Sequence, residues 1–297
     1  MKTVTADALH AAEHFISRTA RLLDRRRYDY LFAAGPAEPV RVALDAYRNI
    51  DGGYGNGLYP DLRGHRSEPL AVEYALRHLL ELGPVPPETA TGITTYLTSV
   101  TGRDGGAPPV TPGTRYTEAA PQWRNADTSP RGALRPTAAI AGLLHKGRIT
   151  GPWRDRATAF CWTRIAALHW TDPDEAMAVC TFLHHVPDQA RAAAEADRLA
   201  PMIRAAIELD ADHPGTVRRP LDLAPTPDSL ARRMFTDQEI ENNLDLLERT
   251  QQPDGGWPTA RPYWTERARD DWRGMATIRR LLVLRAYGRL PGRATGI

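Results

Sequence analysis

The sequence predicts an all-α protein of about five to six helical hairpins, and three observations predict it. About ten or eleven segments of helical period recur along the 297 residues. No run shows clean period-two alternation, so strands are not expected. The tripeptide Asp-Gly-Gly begins at positions 51, 104 and 254, leaving gaps of 53 and 150 residues, the second close to three times 50. A period of about 50 residues marks stacked two-helix units. Weaker turn-like stretches, 150–153 and 210–215, fall where the missing copies belong.

The fullest copy is Gln251-Gln252-Pro253-Asp254-Gly255-Gly256-Trp257, and the first is Arg48-Asn49-Ile50-Asp51-Gly52-Gly53-Tyr54. Asp followed by two glycines makes a turn whose backbone enters positive φ without steric cost. The closing aromatic is expected to cover a neighbouring helix end, and the Gln to hydrogen-bond backbone groups left unpaired there. On this reading the motif staples one helix pair to the next and has no catalytic part.

Taken in order, residues 6–31 read as one long helix, with Leu9, Ala12, Phe15, Ile16, Ala20, Leu22 and Leu23 mostly on one face. The run Arg25-Arg26-Arg27 reads as its solvated end, where cations suit the C-terminal dipole. Residues 39–48 form a helix closed by the first turn. The loop 55–67 carries Asn56, Tyr59, Asp61, Arg63, His65 and Arg66. Loops of repeat proteins carry function, so Tyr59, Asp61 and Arg63 are candidate ligand contacts; a plain Asp61–Arg63 salt bridge is the equal alternative. Ser67 reads as the N-cap of helix 68–82, with Pro69 in its first turn. Periodicity leaves open which way Glu73 of that helix faces.

A helix over 86–100 follows. Residues 102–135 are irregular, rich in proline and too long for an ordinary connection, so they are a candidate lid that includes Trp123 and Arg124. The segment 136–146, with Ala138, Ala139, Ile140, Ala141, Leu143 and Leu144, is apolar nearly all round and belongs in a core. Helices are expected over 153–169, 174–185, 188–209, 236–250 and 269–287, with a proline-rich extended stretch at 216–229.

Composition narrows the classes. The formal net charge of +2 gives no electrostatic footprint for nucleic acid or an anionic membrane. Two cysteines, Cys161 and Cys180, are too few for a disulfide framework. Residues 1–14 lack an apolar signal region, and no stretch of 18 apolar residues spans a membrane. A cytoplasmic protein of one domain, residues 1–297, is the expectation.

The turn repeat resembles the QW motif of squalene-hopene and oxidosqualene cyclases and is similar to repeats of protein prenyltransferase β subunits. Gln251, Gly255 and Trp257 match it in full; at the first copy Arg48 and Tyr54 stand in place of Gln and Trp. The resemblance implies a single α/α toroid, with inner and outer rings of helices around a central cavity. It further implies an isoprenoid or lipid ligand, held against aromatic faces that stabilise cations. Tyr54, Tyr59, Trp257, Trp264 and Trp272 are the aromatic candidates; packing at hairpin junctions is the alternative for each.

Within the same resemblance, Asp172-Pro173-Asp174-Glu175 looks like the D-x-D-D motif of class II terpene cyclases, whose middle carboxylic acid protonates an alkene or epoxide. Carried over by position, Asp174 is the proton donor and Asp172 and Glu175 its supporters. Read from the residues alone, Asp172 is an N-cap, Pro173 occupies the first helical position and Glu175 sits at N3, a good helix start. The two readings are compatible. Cys180 and His184 share a helix face near His185, and prenyltransferases hold zinc with Asp, Cys and His, but their D-x-C pattern is absent. No metal and no cofactor is expected. Class II cyclases pair two helical domains, so a cyclase of this length would close its cavity with the 102–135 loop or as a homodimer. The alternative is a non-catalytic or partner-dependent toroid that binds a lipid or peptide.

Overall fold

A computed structural model describes residues 4–126, 131–215, 217–259 and 263–290. Its helices are α1 (Ala6–Thr19), α2 (Leu22–Phe32), α3 (Glu38–Asp45), α4 (Pro69–Glu81), α5 (Pro87–Val100), α6 (Pro121–Arg124), α7 (Leu134–Lys146), α8 (Pro152–Ala166), α9 (Pro173–His185), α10 (Gln189–Ala205), α11 (Pro220–Leu223), α12 (Asp237–Arg249) and α13 (Glu266–Ala286). Among the described residues there is no strand beyond two isolated bridges. The protein is all-α, as its periodicity requires. No described helix is long and apolar enough to cross a membrane.

The chain divides into two compact units, Met1–Val40 with Ile207–Ile297, and Arg41–Ala206. In the first, α1 packs on α13 and α2, and α12 on α11 and α13. In the second, α7 is central and packs on α9, α8 and α4. From Pro136 to Leu144 every α7 residue is buried, as expected of a helix apolar all round. Gly142 lets α7 approach α9: a Cβ there would sit 2.6 Å from the carbonyl oxygen of Thr181.

The three Asp-Gly-Gly turns share one construction. The second glycine's N–H donates to the aspartate Oδ1, at 2.9 Å for Gly53–Asp51, 3.2 Å for Gly106–Asp104 and 3.1 Å for Gly256–Asp254. The residue two before the aspartate closes a backbone ring with both glycines: Asn49 N–H to Gly53 O and Gly52 N–H to Asn49 O, and likewise at Gly102 and Gln252. The first glycine has φ of +83° at Gly52 and +90° at Gly105 and Gly255. Each is pressed against a helix backbone. An added Cβ would lie 2.4 Å from Gly92 O in α5, 3.1 Å from Arg156 O in α8 and 2.0 Å from Ala11 O in α1. At Gly151 and Gly215, in the weaker turn-like stretches, it would meet nothing within 4 Å.

The heptapeptide's other residues do what their chemistry suggests. Trp257 is fully buried, and its indole N–H donates to Leu247 O at 2.7 Å, one of the carbonyls that the end of α12 leaves unpaired. Gln251 Nε2 donates to Ala8 O and to Gly255 O, both at 2.8 Å, tying the turn to α1.

Three local expectations are corrected. Residues 6–31 are two helices, broken at Ala20 and Arg21, where ψ is 157° at both positions. Arg25 Nε caps the Ala20 carbonyl at 2.7 Å, and α13 presses in at Gly274, where an added Cβ would lie 3.0 Å from Ala20 Cβ. The arginine run is not all solvated: Arg27 is buried and pairs with the wholly buried Asp24 at 3.0 Å. The N-cap of α4 is Glu68, because Ser67 is drawn to Asp51, its Oγ donating to Oδ1 at 2.7 Å.

Gly255→Ala therefore meets both positive φ and a backbone wall, and should cost at least about 3 kcal/mol of folding free energy. Gly215→Ala meets only the first and should cost roughly 1 kcal/mol. Denaturant unfolding of the two variants checks the difference; equal losses would mean that seating on α1 contributes nothing.

Candidate functional site

The site builds outward from the start of α9. Asp172 is its N-cap, Oδ1 accepting from the N–H groups of Asp174 at 2.9 Å and Glu175 at 3.0 Å. That cap orients the next two carboxylates. Asp174 Oδ2 pairs with Arg135 Nη1 at 2.7 Å, both side chains about four-fifths covered. Arg135 Nη2 donates to the Tyr59 hydroxyl at 2.9 Å, so one guanidinium bridges acid and phenol. Its carbon lies 5.3 Å from the Trp123 ring centre, within cation–π reach. Tyr59 meets Trp123 edge-on at 6.0 Å and Tyr74 at 5.2 Å.

Five segments of the Arg41–Ala206 unit thus converge: the loop before α4, α4 itself, α6, the start of α7 and the start of α9. Residues 61–63 draw in the 102–135 segment by backbone pairing, with Arg63 N–H donating to Glu118 O at 2.8 Å and Ala120 N–H to Asp61 O at 2.9 Å. That segment covers the site through Gln122, Trp123 and Arg135; residues 127–130 lie outside the described residues. Asp61 is buried and accepts from Gln122 Nε2 at 3.4 Å. Arg63 Nε lies 3.8 Å from Glu118. The Trp123 indole N–H is shielded from solvent and has no hydrogen-bond partner.

The three carboxyls of the α9 start have different surroundings. Burial holds Glu175 above the usual carboxylate range, and the charge of Asp172 pushes the same way, against a hydrogen bond from Thr171 and the charge of Arg164. Asp172 is exposed and occupied as a cap. Asp174 is occupied by Arg135.

Of the residues picked from the sequence, Tyr59, Asp61, Asp172, Asp174 and Glu175 lie in or beside this cluster. Tyr54 is fully buried in the first turn, which pushes its phenol up to about 12. Trp257, Trp264 and Trp272 belong to the other unit; the Trp264 indole N–H is buried without a partner, and Trp272 is buried in α13. Arg135, Trp123 and Tyr74 complete the cluster and were not singled out as site residues. Arg135 is 39 positions from Asp174, with no motif around it. Cys180 is fully buried, its thiol pushed up to about 12, and His184 lies against His185 with ring centres 4.4 Å apart. Among the described residues no group of three His, Cys, Asp or Glu could hold a metal ion. Glu73 is buried and pairs with Arg77 at 2.8 Å.

A second buried acid ties the covering segment down. Glu68 accepts from Thr111 N–H at 2.6 Å, Thr111 Oγ1 at 3.0 Å and Thr114 Oγ1 at 2.6 Å. Burial pushes its carboxyl up to about 7, and the three donors only partly counter it.

No protein-family model matches the chain, and no curated protein does. Among solved structures, a crystal structure of a protein from Actinoplanes aligns over 95% of this chain and 99% of its own, with a TM-score of 0.60 and 19% identity. A likeness at that identity speaks to the fold alone.

Because the folded Glu68 binds its proton more tightly than the unfolded chain does, stability is greatest below the usual 4.5 and falls as pH rises through about 7. The loss should reach about 3 kcal/mol. Glu68→Gln should flatten this slope in urea titrations between pH 4.5 and 8; an unchanged slope would remove Glu68 as its source.

Proposed function

We propose that the protein binds an isoprenoid or similar lipid in the Arg41–Ala206 unit, against Tyr74 and Trp123, without the acid step of a class II cyclase at Asp174. The observation that carries this reading is the 2.7 Å Arg135–Asp174 pair. A carboxyl that protonates an alkene must arrive protonated, which calls for burial or a neighbouring like charge. Asp174 is instead bound to a guanidinium. That guanidinium also lies over an aromatic face, the place where a substrate cation would rest. What supports ligand binding is that two partly exposed rings, Tyr74 and Trp123, meet around the buried Tyr59 beside the Arg135 cation. What supports the toroid part of the reading is the recurrence of one turn, seated on α5, α8 and α1.

One observation favours a second reading. Burial holds the Glu175 carboxyl toward its protonated form, while Asp174 is paired with Arg135. Should cyclisation occur, the donor is Glu175.

The purified protein is offered squalene, farnesyl and geranylgeranyl compounds, with binding followed by tryptophan fluorescence and products by mass spectrometry. Binding without cyclised product is expected, and Trp123→Ala should weaken it at least roughly tenfold, as loss of an aromatic contact surface does. Cyclised product that disappears in Glu175→Gln and survives in Asp174→Asn establishes the second reading. Absence of any binding refutes both.

A further inference from the structure

The Ile207–Ile297 segment holds a cleft of about 300 Å³ behind Trp257. That size suits a ligand at the small end of the range that pockets accept. Its apolar lining includes Trp257, Leu221, Leu246 and Leu247, of which Leu246 is the one not buried. Trp257's indole N–H is already committed to Leu247 O and its ring is buried, so it closes the cleft without a polar contact.

The lining includes one polar side chain with an unmet requirement. Asn243 is 1% exposed. Its Nδ2 donates to Glu239 O at 2.8 Å, which fixes the amide orientation and leaves Oδ1 buried with no donor. A buried acceptor left unmade costs about 1–3 kcal/mol, so an N–H or O–H placed there is favoured.

Arg219, Arg249 and Arg280 line the cleft. The acids facing them are Asp212, paired with Arg249, and Asp222, which accepts from Arg280 at 3.1 Å. Asp222 is also approached by Arg279 at 3.5 Å and Arg218 at 3.8 Å, so guanidiniums outnumber carboxylates around it. Glu208 and Asp210 lie nearby, with His213 3.3 Å from Glu208. Counting all of these acids, the arginines exceed them by one charge. Arg219 also donates to the Asp210 and His213 carbonyls, which holds it at the rim.

We infer that this cleft is a binding site for a small carboxylate that also carries a hydroxyl or amino donor and a short apolar chain. The carboxylate meets the arginines, the donor meets Asn243 Oδ1, and the chain lies against Leu246. This site is separate from the aromatic cluster of the other unit and does not depend on the lipid reading.

The probe is 2-hydroxy-4-methylpentanoate, compared by calorimetry with 4-methylpentanoate, which lacks the hydroxyl, and 4-methyl-2-pentanol, which lacks the carboxylate. The full chain should bind the hydroxy acid at least roughly tenfold more tightly than either analogue. Asn243→Leu, close in shape, should abolish the preference over 4-methylpentanoate while retaining carboxylate binding; Arg249→Gln, at an exposed position, should weaken both acids alike. Equal affinity for the hydroxy acid and 4-methylpentanoate overturns the inference, as does no binding by the unmodified chain. A preference that survives intact in Asn243→Leu also overturns it, because Asn243 Oδ1 then does not receive the hydroxyl.

Discussion

The contact on which the described architecture rests is small: one aspartate oxygen accepting the N–H of the residue two positions on. This bond folds the Asp-Gly-Gly backbone tightly enough that the first glycine, at positive φ, reaches a helix backbone, closer than a Cβ permits at Gly52 and Gly255 and about as close as one permits at Gly105. The turn therefore acts as a spacer of nearly zero thickness. Where it occurs, a helix of a different hairpin can be seated against the connection instead of against side chains. The partners around each aspartate vary. Asp51 adds Ser67, Asp104 adds the Gly132 N–H at 3.0 Å, and Asp254 adds both terminal nitrogens of Arg273 at 2.7 Å. The core bond is constant and the buttress is local, which is why the tripeptide recurs and the residues around it do not.

That difference explains what could be read from the residues alone. The turns and α7 were legible because each is determined by its own chemistry, glycine at positive φ in one case and apolar residues on all faces in the other. The Asp172 cap was legible for the same reason: cap, proline and acid lie within four residues. The break at Ala20 was not legible, since no glycine or proline marks it. It exists because Asp24 is buried between Arg21 and Arg27 and because α13 arrives at Gly274, some 250 positions away in sequence. Ser67 misled for a related reason. It is a good local cap, but Asp51, sixteen residues earlier, competes for its hydroxyl and wins.

The candidate site was half legible. Its acids and Tyr59 sit in motif-like or loop-like settings that attract attention. Arg135 and Trp123 sit in a proline-rich segment with no period, and they become functional candidates only through what they touch. A guanidinium that joins a carboxylate, a phenol and an indole face is a tertiary fact, and no spacing encodes it.

The acid trio at the start of α9 shows why a motif alone does not assign a chemistry. In sequence its members are equivalent carboxyls within four consecutive positions. In the fold they are employed three ways: Asp172 is exposed and spent on backbone donors, Asp174 is paired with a cation, and Glu175 is desolvated beside Asp172. The helix start forces this separation. A cap residue must face the N–H groups, the next acid projects outward to whatever lies alongside, and the N3 residue turns back toward the packed side. A helix that begins Asp-Pro-Asp-Glu thus sorts its acids by position before any ligand arrives. For the last of them, Glu175, burial stabilises the neutral form and the charge of Asp172 pushes the same way.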